Sequence, residues 1–167
     1  MNFDSILDIA LASISRRIKE APSKQLAELS TKNSMRSSFA VTSTFSALSE
    51  HMKLEFLNLI QDLSNTKISS NDLFKLRHRI NLFIDNEFKA HEEYLVKIKC
   101  FEITGDNFSE FITNEKEDIK VSIELKILVL EKKLRDQHWT LFWDISKIVI
   151  SAIIGGVIGA FIKNWIA

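Results

Sequence analysis

Large apolar residues advance along most of this chain in steps of three and four. Phe45, Leu48, Met52, Phe56, Leu59 and Leu63 do so without a break, which predicts a helix over about 38–63 with one apolar stripe. The polar stretch SNTKISSND, 64–72, follows as a loop, with Ser70 or Asn71 as the expected cap. Leu73, Leu76, Ile80, Phe83, Ile84 and Phe88 then repeat the pattern from near Asp72, and the helix is expected to continue through Leu95. At the start of the chain Phe3, Leu7, Ala10, Ile14 and Ile18 predict an amphipathic helix over 2–20, capped by Asp4 or Ser5. Pro22, the single proline, closes that segment. Residues 21–37 read as a polar linker with some helix near Leu26 and Leu29.

Between 119 and 129 two patterns overlap. Ile119, Val121, Ile123, Leu125, Ile127 and Val129 alternate with polar residues as a half-buried strand would, and Val96, Ile98 and Cys100 alternate similarly. Ile119, Ile123, Ile127, Leu130 and Leu134 equally fit one face of a helix. Helix is the preferred reading, because EKKLRDQ follows directly and an isolated two-stranded hairpin is marginal. The alternative is an α+β domain with a hairpin of about 94–104 and 119–130. Gly105-Asp106-Asn107 marks a turn before this segment, and Asn107 with Glu110 is the expected cap of the helix after it. Asn107-Phe108-Ser109 also matches a glycosylation acceptor, without consequence on the cytoplasmic side.

A different pattern runs from Ile148 to Ile162: IVISAIIGGVIGAFI, without a charge. At ~1.5 Å per residue it spans only ~22 Å, short of the ~30 Å hydrocarbon core. Snorkelling of Lys147 and Lys163 makes up the difference. Trp143 and Trp165 lie roughly 33 Å apart on one helix, so that with Trp139 they place indoles near both interfaces. Three of the four glycines fall here. Ser151, Gly155 and Gly159 are spaced by four, as are Ala152, Gly156 and Ala160, a small-xxx-small surface on which membrane helices associate. Lys132, Lys133, Arg135 and Lys147 precede the stretch and Lys163 alone follows it, which puts the preceding domain in the cytoplasm of a tail-anchored, single-pass inner-membrane protein. The expected architecture is therefore mainly α: an amphipathic helix (1–20), a linker (21–37), a cytoplasmic helical bundle or coiled-coil domain (38–138) and a C-terminal transmembrane helix (139–167). If one unbroken helix of ~59 residues runs into this stretch, it is ~88 Å long and joins domain to membrane.

Charge and chemistry narrow the function. The 167 residues carry 22 basic and 22 acidic groups, a balance that argues against general nucleic-acid binding. One cysteine, Cys100, excludes an internal disulfide. MNFDSILDIALASI is acidic where a signal peptide is basic, so no removed targeting segment is expected. Arg16, Arg17 and Lys19, with Lys75, Arg77 and Arg79, form the best basic patch, read either as a solvated surface or as a site for anionic lipid or a nucleotide. His91-Glu92-Glu93 lacks the second histidine of a zinc-protease helix, and Cys100 has no partner for a metal. No phosphate loop or GxSxG turn occurs. No catalytic, cofactor or metal site is expected.

Two functions fit. One is a membrane-acting effector whose cytoplasmic domain governs association of the glycine-rich helices, a build shared with some toxins and antiviral effectors by architecture alone. The other is a non-enzymatic membrane adaptor that binds a cytoplasmic protein. Both imply the bilayer as partner, and the small-residue stripes imply a homo-oligomer.

Overall fold

Asn2 sets the first helix: its Oδ1 accepts from the Ser5 N–H at 2.9 Å, closing one of the donors a helix start leaves open. Helix α1 then runs Phe3–Ile18. The cap is Asn2 rather than Asp4 or Ser5; Asp4 lies in the first turn, where its charge suits the helix dipole. The computed structural model describes residues 2–66, 68–101 and 107–136. Two compact units divide the chain, Met1–Leu128 and Val129–Ala167, and in the second the described residues, 129–136, are helical.

Most of the expected linker is a helix. Helix α2 spans Glu20–Thr31 and buries Pro22, Leu26 and Leu29. Pro22 does not close the helical segment but breaks it from α1. It sits in the first turn of α2, where a missing N–H costs little, while its ring cannot follow an unbroken helix through Ile18. After α2 the chain reverses at Asn33, whose φ is 53°. The Ser34 N–H donates to the Leu29 carbonyl at 2.9 Å and the Asn33 N–H to that of Ser30 at 3.1 Å, the two bonds of a left-handed helix stop.

Ser37 caps α3, Ser38–Leu63, over the span its stripe predicts. Helix α4 is Ser70–Lys97. Its cap is Ser69, one residue before the expected pair, because Asp72 reaches back to the Ser69 N–H at 2.9 Å and completes a capping box. A second left-handed stop follows, with Lys99 at φ 64° and the Cys100 N–H donating to the Leu95 carbonyl at 3.0 Å. Residues 109–136 are helical, and the stretch 109–128, here α5, belongs to the first unit. Asn107 Oδ1 accepts from the Ser109 N–H at 3.0 Å, the Asn107 half of the expected cap, from a position one residue before Phe108, which directly precedes the helix.

The α+β alternative is thereby corrected. Residues 94–97 lie in α4, 119–130 are helical, and no strand occurs among the described residues. In a helix only every other member of the alternating set faces inward. Ile119, Ile123 and Ile127 are buried, whereas Val121 and Leu125 are exposed. Helix satisfies every backbone donor within the segment, and a two-stranded hairpin leaves both edges open.

Side-chain pairs fix how the helices run. Asp4 with Lys75, Asp8 with Arg79 and Ser15 with Glu87 rise together, so α1 and α4 are parallel. Phe45 stacks on Phe88 and Phe56 meets Phe83, so α3 and α4 are antiparallel. Arg77–Glu124 and Asp85–Lys120 set α5 antiparallel to α4. Arg17–Glu55 ties α1 to α3, and Ser46–Glu115 ties α3 to α5. Helices α1, α3, α5 and α4 thus form a ring, with α2 laid along α3. Phe45, Met52, Phe56, Leu76, Ile80, Ile84 and Phe88 fill its centre. No helix among the described residues is long and apolar enough to cross a membrane.

Candidate functional site

The cations of the expected basic patch each face an acid from another helix, Arg16 apart. Arg17 makes a two-pronged contact with Glu55, Nε to Oε1 at 2.7 Å and a terminal nitrogen to Oε2 at 2.6 Å. That bond, with the guanidinium charge, holds the Glu55 carboxyl below the usual carboxylate range. Lys19 pairs with Glu87 at 3.3 Å, Lys75 with Asp4 at 2.7 Å and Arg77 with Glu124 at 2.8 Å. Arg79 pairs with Asp8, and Arg16 is exposed. These residues do not converge on one anion site; they are distributed over contacts of α1 and α4 with α3, α5 and each other. Their carboxylate partners lie 38 to 71 residues away in the chain, beyond the reach of any local spacing rule.

One concave feature is not legible in the sequence. A cleft of about 370 Å³ opens between α2 and α4. Lys19, Pro22 and Leu26 line one wall, Glu87, His91 and Tyr94 the other, and Leu48 of α3 the floor. At its end Glu87 accepts from Ser15 Oγ at 2.5 Å besides pairing with Lys19, and Lys19 donates to Ser15 at 3.0 Å. His91 stands edge-to-face with Phe45, ring centres 4.8 Å apart. Its Nε2 is buried with no hydrogen-bond partner, and burial pushes the imidazole down to about 4. At neutral pH it is an uncharged ring packed on Phe45. Burial likewise raises the Cys100 thiol, keeping it protonated and weakly reactive.

No group of three or more His, Cys, Asp or Glu side chains that might hold a metal occurs among the described residues. The expected association residues Ser151, Ala152, Gly155, Gly156, Gly159 and Ala160, and the interface anchors Trp139, Trp143, Lys147, Lys163 and Trp165, lie outside the described residues. Comparison with family models, with curated proteins and with solved structures yields no match.

Proposed function

We propose that this chain is a bacterial inner-membrane effector in which a cytoplasmic helical domain controls the association of glycine-rich transmembrane helices. The observation that carries the reading is the stretch Ile148–Ile162, uncharged and bearing two overlapping small-residue stripes between lysine and tryptophan flanks. In lipid no hydrophobic drive brings helices together, so close backbone approach at Gly155 and Gly159 supplies the contact. The partners are the bilayer and further copies of the chain; no cofactor or catalytic step is involved.

The test is membrane depolarisation on expression, comparing the native chain with Gly155→Ile, Gly159→Ile. The substitutions separate helix backbones while keeping the segment apolar. Loss of a packed contact worth ~1–2 kcal/mol lowers crosslinked oligomer roughly five- to thirtyfold, and depolarisation falls with it. Native chain that leaves the potential unchanged, or a variant as active as the native chain, overturns the effector reading. The first result leaves a passive membrane adaptor.

A further inference from the structure

Helix α2 packs on α1 and α3 but not on α4, and the space left between α2 and α4 is the cleft of about 370 Å³ over Leu48. One end is tied shut. Lys19, at the joint of α1 and α2, reaches Glu87 of α4 at 3.3 Å, and Ser15 bonds to both. Away from that end the lining is Pro22 and Leu26 on one side and Ala90, His91 and Tyr94 on the other. The rings of His91 and Tyr94 stand three residues apart, on one face of α4. Size decides against a peptide helix as occupant. One turn, ~5.4 Å of a cylinder ~10 Å across, fills ~420 Å³, and the tied end stops a helix from running through. The volume falls instead within the ~300–1,000 Å³ of small-molecule sites, which combine apolar walls with a few polar groups.

We propose that this cleft binds a small, uncharged ring compound carrying one hydrogen-bonding group, indole-like or phenol-like in class. Charge selects against ions. Among the described residues, Lys19 and Glu87 are the only charged side chains in the lining, and both Glu87 oxygens are taken, one by Ser15 and one by Lys19. An ionic ligand would therefore bury its charge among apolar groups without a counter-charge. His91 is uncharged at neutral pH as well. It lines the cleft, and its Nε2 has no partner in the folded chain. A neutral imidazole offers one donor and one acceptor, so a ligand with a single N–H or hydroxyl beside an apolar ring meets the polar need of this wall. Leu26, Leu48 and the Pro22 ring supply apolar surface to the body of that ring. The site belongs to the helical domain alone, and the inference does not rest on membrane anchoring.

The test labels the full-length chain, as expressed in cells, with the uncharged photoreactive probe trifluoromethyl phenyl diazirine and maps the adducts by mass spectrometry. Adducts are expected to concentrate in the peptides of α2 and the second half of α4, above those of α5, whose Val121 and Leu125 are exposed on an open surface. Indole competes the cleft adducts away, whereas its charged relatives indoleacetate and tryptamine leave them. Ala90 is exposed, so Ala90→Trp fills the cleft without disturbing the core. The cleft adducts then fall about fivefold or more, equivalent to ~1 kcal/mol of binding, while Ala90→Ser leaves them at the native level. Cleft adducts no more abundant than those on α5, insensitive to Ala90→Trp, or displaced equally by indoleacetate overturn the inference. Adducts within 148–162 report membrane insertion separately, so failure of the effector reading leaves this test intact.

Discussion

His91 carries the clearest pH signature of any single residue. Its imidazole titrates near 4 in the folded chain and near 6.5 when unfolded. Between those values the unfolded chain binds the proton and the folded chain does not. Stability is therefore full above about pH 6.5 and declines as pH falls toward 4, by up to about 1.4 kcal/mol per pH unit. His91→Phe retains an aromatic ring beside Phe45 and removes the titration. Urea unfolding followed from pH 7 downward is expected to show a flatter profile for the variant between about 6.5 and 4. Equal slopes for the two chains would place the buried imidazole elsewhere. Glu55 acts in a lower window. Its carboxyl is held down by Arg17, so its contribution is present above the ordinary carboxylate range and lost as pH falls below it. Partial exposure of the pair keeps this under about 1 kcal/mol.

The elements show which sequence signals were legible. A long stripe sufficed for α3, whose span agrees with the expected 38–63. The caps at Asn2 and Ser69 shifted by one or two residues because several adjacent side chains are chemically able to cap, and reciprocal partners such as Asp72 choose among them. Helix α2 was obscured by a short apolar face and by Pro22, which stops a helix from within but opens one from its first turn. The alternation over 119–129 was ambiguous for a physical reason: two helical faces are apolar, and only one enters the core. Ile123→Ala removes a buried group and is expected to cost about 2–5 kcal/mol. Val121→Ala, on the exposed face, stays within about 0.5 kcal/mol of native in monomeric chain. Chemical denaturation of both distinguishes helix from strand, because a strand would bury the two residues on the same side and penalise both. The cleft and the ion pairs were illegible, since they join residues from separate helices.

At the scale of the molecule, a ring of helices is proposed to carry an apolar segment that associates with its copies in the membrane. One contact between copies is proposed, at Gly155 and Gly159. It is weak alone, and confinement to one membrane raises the effective concentration of the chains. This makes membrane attachment the claim on which the proposed function depends. Alkaline carbonate extraction of membranes from cells expressing the chain tests that claim directly. The full-length chain is expected to remain in the membrane pellet, while a chain ending at Gln137 is released and keeps its helical circular dichroism. Release of the full-length chain into the carbonate supernatant would contradict membrane anchoring, and would make Ile148–Ile162 a short buried core helix instead.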